Sequence, residues 1–171
     1  LPVNLYASTK KAFEAISKFY VEHNNLKFIT VKLNDTYGPN DSRNKIINLW
    51  LDIAKHGTLL KMSPGQQKID IVHVEDVVTA LILSIKRFYN KDFNRDRFEV
   101  YSILSKRKYS LRNLAKIFEI SIGKKLNIKW GALPYRNNEI MNPYCPFDLV
   151  PGWEQKISIE TGFHQLGQEL F

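Results

Sequence analysis

Helical and strand patterns alternate along the 171 residues, and this alternation predicts an α/β fold with a mainly parallel sheet. Three observations carry the expectation. Apolar residues recur at helical spacing in stretches of a dozen or more. Between them lie short β-branched runs bounded by polar turn residues, the pattern of buried strands. No internal repeat or low-complexity segment interrupts the order. Because a helix opens the chain, a parallel sheet of ordinary size would lack its first strands.

The elements follow in turn. Residues 4–23 place Tyr6, Lys10, Phe13, Ile16, Tyr20 and Val21 at helical spacing, and Asn24 with Asn25 closes that helix. "LKFITVKL", residues 26–33, is a buried strand, and "NDTYGPND", 34–41, is a loop broken by Gly38 and Pro39. A loop at the end of such a strand is where ligands sit in α/β sheets. Residues 42–56 form an amphipathic helix carrying Ile46, Ile47, Trp50, Leu51 and Ile53. "TLLKM" and "QKIDIVHV" are strands separated by the turn "SPGQ", and residues 75–88 are a helix whose acidic start suits the positive end of its dipole. "RFEVYSIL", 97–104, is a strand, and Ser110 is an N-cap for the helix after it. "LNIKW" is the last strand, a long Pro-rich connection covers 132–155, and residues 158–171 close as a helix.

Composition bounds the function. A hydrophobic fraction of 44% is enough for a real core, and the single cysteine, Cys145, rules out an internal disulfide and suits a reducing, cytoplasmic setting. No apolar run approaches the roughly 20 residues of a membrane span. The net charge of +8 is scattered. Its densest group, Lys106, Arg107 and Lys108, falls in a strand-to-helix loop, so neither nucleic acid nor a membrane is expected as a partner. His23, His56, His73 and His164 lack metal-ligand spacing, and no metal site is expected. Trp50, Trp130 and Trp153 read as core or pocket wall, and Asp76 as a cap for the helix beginning beside it.

The chemistry-bearing motif is "NLYASTK", residues 4–10. Tyr6 and Lys10 lie one helical turn apart on one face. A phenol has a pKa of about 10, and a neighbouring ammonium favours its ionised form. Such a pair can exchange a proton with a sugar hydroxyl or carbonyl, as hydride transfer at that carbon requires. Ala7 and Ser8 keep the helix surface small beside the tyrosine. Together with "NDTYGP", "KIDIVHVEDVVTALILSI" and "LVPGWEQKISIETGF", in this order, the motif resembles the extended short-chain dehydrogenase/reductase family of nucleotide-sugar epimerases, dehydratases and reductases.

The resemblance covers essentially the whole chain and implies the C-terminal part of a Rossmann-type enzyme lacking its N-terminal glycine-rich half. No G-x-G-x-x-G or G-x-x-G-x-x-G occurs. It implies that Tyr6 is the acid/base, that Lys10 holds the nicotinamide ribose of NAD or NADP, and that both touch the cofactor. For the nucleotide-sugar substrate it implies contacts from Asn34, Asp35, Arg43, Lys68 and Arg136. Two of these depart from the family pattern. Asp35 stands where the family has asparagine; ionised, it cannot donate a hydrogen bond and would repel a diphosphate, and it can instead orient the loop through backbone NH groups. At the column of a diphosphate-binding arginine stands Ile69, preceded by Lys68. The expected organisation is residues 1–41 as catalytic helix and strand of the Rossmann domain and 42–171 as mainly the nucleotide-sugar region, with 67–104 partly returning to the Rossmann sheet. Deoxysugar-pathway members making CDP-linked sugars are the nearest in wording, and family practice makes the outer face of residues 4–23 a homodimer interface. The competing expectation is a non-catalytic module that binds a nucleotide sugar or a protein.

Overall fold

The computed structural model describes residues 4–89 and 97–168. Positions 1–3, 90–96 and 169–171, which belong to the expected domains and, for the last three, to the expected closing helix, lie outside them. The elements run α1 (Leu5–His23), β1 (Phe28–Leu33), β2 (Asp35–Tyr37), α2 (Ile46–His56), β3 (Leu60–Met62), β4 (Lys68–Ile69), β5 (Ile71–His73), α3 (Val74–Phe88), β6 (Phe98–Ile103), β7 (Tyr109–Ser110), α4 (Leu111–Ile122), β8 (Ile128–Trp130) and α5 (Ile159–Gln168). They divide between two compact units: Leu1–Leu33, Val78–Ile103 and Cys145–Trp153 in one, Asn34–Val77, Leu104–Tyr144 and Glu154–Phe171 in the other.

In the first unit β1 and β6 pair in parallel from Phe28↔Phe98 to Leu33↔Ile103. Phe28 stacks on Phe98 at 5.7 Å and meets Phe13 of α1 at 5.9 Å. α1 ends where Asn24 donates to Tyr20 O at 2.9 Å and Asn25 turns left-handed at φ 52°. Arg87 of α3 grips Glu99 of β6 through two hydrogen bonds of 2.8 and 3.1 Å, and Tyr101 donates to the same carboxylate at 2.8 Å. Ser102 donates from Oγ to Phe147 O at 2.7 Å, tying the 145–153 segment to β6.

The second unit holds the larger apolar core. Trp50 of α2, Phe118 of α4 and Phe163 of α5 are fully buried, with ring centroids 5.6 Å (Trp50–Phe118) and 5.0 Å (Phe118–Phe163) apart. Burying each such side chain contributes about 1.5–3 kcal/mol. Gly162 brings α5 against Tyr37: a Cβ there would stand 2.1 Å from the tyrosine oxygen. β2 pairs with β5 and β3 with β8, both in parallel, while β4 and β7 are antiparallel.

Helix and strand expectations hold in kind, and the differences have local causes. The loop expected at 34–41 contains β2. The strand expected at 67–74 is two: at Asp70, whose buried carboxylate accepts from Ser105 N at 2.8 Å, the pairing changes over, Ile69 meeting β7 and Ile71 meeting β2. The helix expected from Ser42 starts at Ile46, since residues 41–43 are folded into a turn around the Asp41 carboxylate.

Candidate active site

Each residue of "NLYASTK" has a local reason for its place. Asn4 caps α1, its side chain accepting from Ala7 N at 2.9 Å, and its carbonyl receives Ser8 Oγ at 3.1 Å. Thr9 donates to Tyr6 O at 2.8 Å. Asn4 thereby satisfies one helix-start N–H, Ser8 and Thr9 bond back to carbonyls of the preceding turn, and Tyr6 and Lys10 are left exposed. Tyr6 is 70% exposed, and Lys10 Nζ stands 5.5 Å from the centre of its ring. Both line a groove of about 940 Å³ together with Ala7, Phe13, Glu14 and β1. Glu14 is paired with Lys32 of β1, so Lys10 has no competing carboxylate from its own helix turn.

The expected substrate-binding residues all lie in the second unit. Asn34 has a buried side-chain nitrogen with no acceptor among the described residues, a donor that costs about 1–3 kcal/mol to leave unpaired. Asp35 opens β2; its backbone N donates to Asp70 O at 3.1 Å, and its carboxylate faces Lys45 Nζ at 4.0 Å. Arg43 is closed onto Asp41 by bonds of 2.8 and 2.7 Å from its guanidinium and one of 3.0 Å from its backbone N. The Arg43 hydrogen bonds pull the Asp41 pKa down to about 2. Asn48 locks this turn by donating to the carbonyls of Asp41 and Arg43 at 2.6 and 2.7 Å.

Lys68 and Arg136 belong to segments stitched side by side. Leu133 N donates to Met62 O, Gln66 N to the Tyr135 hydroxyl and Lys68 N to Met141 O, at 3.2, 3.0 and 2.9 Å. Both side chains are exposed. Asp76 does more than the sequence suggests. Buried at 2% exposure within the first turn of α3, it also accepts from Lys156 N and Ile157 N at 3.1 and 3.0 Å and so anchors the approach to α5.

The sequence did not single out Lys45. It sits at the N-cap of α2 beside Asp35, and unlike Arg43 it makes only a long, exposed ion pair. Its signal was present as a cation two residues from Arg43, but the Asp41–Arg43 pairing that sets them apart was not visible. Among the described residues no group of three or more His, Cys, Asp or Glu could hold a metal ion, and no helix is long and apolar enough to cross a membrane.

The α/β architecture agrees with what comparison with known proteins finds. Residues 1–100 match the family described as "NAD dependent epimerase/dehydratase family", and the chain belongs to it. It is 27% identical over 164 residues to a CDP-abequose synthase of Salmonella muenchen, covering 94% of this chain and 54% of that protein. A CDP-abequose synthase of Yersinia pseudotuberculosis is 28% identical, with coverages of 82% and 47%. The chain thus spans about half the length of the curated relatives it matches. In fold it is similar to the UDP-glucose 4-epimerase of Thermotoga maritima solved with UDP-glucose, at a TM-score of 0.81 and 20% identity over 98% of this chain and 53% of that one. It is likewise similar to the NAD-bound UDP-glucose-4-epimerase of Stenotrophomonas maltophila, at a TM-score of 0.79 and 16% identity over 99% of this chain and 56% of that one.

Proposed function

We propose that this chain carries the acid/base and nucleotide-sugar-binding portions of an NAD(P)-dependent epimerase, dehydratase or reductase. The observation that supports it best is the capped start of α1, which presents the exposed Tyr6 hydroxyl and the Lys10 ammonium one turn apart in a common groove. Tyr6 exchanges a proton with the oxygen on the reacting sugar carbon, and Lys10 holds the cofactor ribose. The nicotinamide, when bound, supplies or accepts hydride at that carbon. Ala7 fits this reading, because its small side chain leaves room beside the tyrosine. The chain has no glycine-rich strand-to-helix turn for a pyrophosphate.

In the second unit, Asn34, Lys68 and Arg136 are the proposed contacts to the nucleotide arm, with Asp35 orienting Lys45. Arg43 is already neutralised by Asp41, so Lys45 is the better phosphate contact in this loop. Binding energy from the nucleotide then positions the distant sugar ring. The CDP-abequose synthase relatives make a CDP-linked deoxysugar the first substrate to try.

The deciding experiment uses the complete protein translated from the reading frame that contains these residues. With a CDP-linked keto-deoxysugar, nicotinamide absorbance should report turnover in the wild type. Tyr6→Phe should lower kcat by about 10²–10⁴-fold with KM little changed. Full activity of Tyr6→Phe would remove the tyrosine from the chemistry.

A further inference from the structure

Arg112 is held in place without being neutralised. Arg43 and Arg87 each close on a carboxylate, whereas Arg112 donates from Nε to the Pro64 carbonyl at 2.6 Å and lies over the Trp130 ring, 5.1 Å from its centre. Its backbone N donates to Gly65 O at 3.1 Å. Glycine makes this fit possible: residue 65 is left-handed at φ 74°, and a Cβ there would stand 2.5 Å from Trp130 Cζ3 and 2.9 Å from Arg112 Cγ. The guanidinium is therefore fixed on an aromatic face, with Nε used and both Nη groups without a partner among the described residues.

Arg112 lines a groove of about 400 Å³ between α4 and β8, wholly within the second unit. Lys116 follows on the same wall, exposed, one helical turn from Arg112 and with no partner among the described residues. Gln66 and Asn113 bring two more side-chain donors. The facing wall is apolar, built from the alternate residues Leu126, Ile128 and Trp130. One carboxylate lines the groove, and it is already engaged: Glu119 accepts from Leu126 N at 2.8 Å and from Lys125 Nζ at 3.3 Å.

We propose that this groove is a binding site for a phosphorylated small molecule, with Arg112 and Lys116 on the phosphate and the Leu126, Ile128 and Trp130 wall against the carbon skeleton. Two cations one turn apart on a helix repel each other, and a dianion seated between them removes that cost. The paired N–H groups of a guanidinium match phosphate oxygens. Phosphate suits the groove better than carboxylate, because three terminal oxygens spread in space can meet a guanidinium, an ammonium and carboxamides at once. The volume falls in the range of about 300–1,000 Å³ typical of small-ligand pockets. None of Tyr6, Lys10, Asn34, Asp35, Lys45, Lys68 or Arg136 lines it, so the site stands apart from the proposed catalytic and nucleotide contacts.

The test uses the complete protein translated from the reading frame that contains these residues, with ribose 5-phosphate as the probe. The indole N–H signal of Trp130 is followed by NMR and identified by its loss in Trp130→Phe. It should move saturably, with a Kd of about 1 mM or tighter. Inorganic phosphate should bind at least about threefold more weakly, since it leaves the apolar wall uncovered, and ribose should produce no shift. Arg112→Gln should weaken the probe about tenfold or more, because it removes charged hydrogen bonds. Lys116→Gln, at an exposed position that the fold does not depend on, should weaken it about two- to fivefold. Arg136→Gln should leave the affinity unchanged. Should Arg112→Gln fail to fold, Arg112→Lys keeps the charge, loses the paired donors and is expected to bind more weakly than the wild type. The proposal is overturned by a Trp130 signal that does not move saturably, or by equal affinity for ribose or for inorganic phosphate. It is equally overturned by affinity that survives both Lys116→Gln and the Arg112 variant, or that is lost in Arg136→Gln.

Discussion

Arg43 illustrates how a charge available to a ligand in one dimension can be neutralised in three. Its guanidinium and backbone N converge on Asp41, whose pKa falls from 3.8 to about 2. A carboxylate with a depressed folded pKa contributes stability that is present above its unfolded pKa and lost as pH falls through the folded value. The Asp41 carboxyl carbon should therefore titrate near pH 2 by NMR, and Arg43→Ala should return the midpoint toward the ordinary carboxylate range. His73 is shifted in the same direction for the opposite reason. Burial lowers its pKa, with Glu75 and Asp76 opposing, and Nδ1 accepts from Glu75 N at 3.3 Å while Nε2 has no partner among the described residues. Unfolding lets this imidazole take a proton, so stability is lost as pH falls below about 6.5, the ordinary histidine value. Replacing it, as in His73→Gln, should flatten the fall in Tm between about pH 7 and pH 5.5; an unchanged slope would assign that acid sensitivity elsewhere. Tyr37 carries a buried hydroxyl with no partner among the described residues, its pKa raised by burial and then by Asp76 and Glu160. Removing an unpaired polar group relieves its desolvation cost, so Tyr37→Phe should leave stability within about 1 kcal/mol or raise it.

At the level of elements, the sequence is most legible where one residue type has one physical use. Ser110 is the N-cap of α4, accepting from Asn113 N at 3.2 Å, and Ser110→Ala should cost about 1 kcal/mol in chemical denaturation. Gly57 and Gly123 end α2 and α4 in the left-handed conformation, at φ 70° in each case. Phe118 is buried between Trp50 and Phe163, and Phe118→Ala should cost about 3–5 kcal/mol. Less legible are the short pairings of the second unit. β4 and β5 are separated only by Asp70, and their partners, Tyr109–Ser110 and Asp35–Tyr37, lie in opposite directions along the chain. An apolar run does not say which strand each of its residues will meet, because pairing is settled by long-range packing.

Across the whole molecule, the proposed chemistry is divided between two compact units, with Tyr6 and Lys10 in one and the proposed nucleotide contacts in the other. The 171 residues contain no glycine-rich phosphate loop. Accordingly, a saturating level of NADPH should shift the Tm of this chain by less than about 1 °C, since a ligand stabilises only as far as it binds the folded state. CDP should give a small positive shift through the second unit, and a large NADPH shift would mean that the cofactor site is already complete. What the sequence determined by itself was the α/β class, the existence and order of the helices and the pairing of Tyr6 with Lys10, because helical periodicity, caps and i, i+4 spacing are local properties that neighbouring residues dictate. What only the tertiary structure decided was the neutralisation of Arg43, the anchoring of residues 156 and 157 by Asp76 and the exposure of Lys45. Those depend on which distant groups arrive within hydrogen-bonding distance, and no local pattern records that.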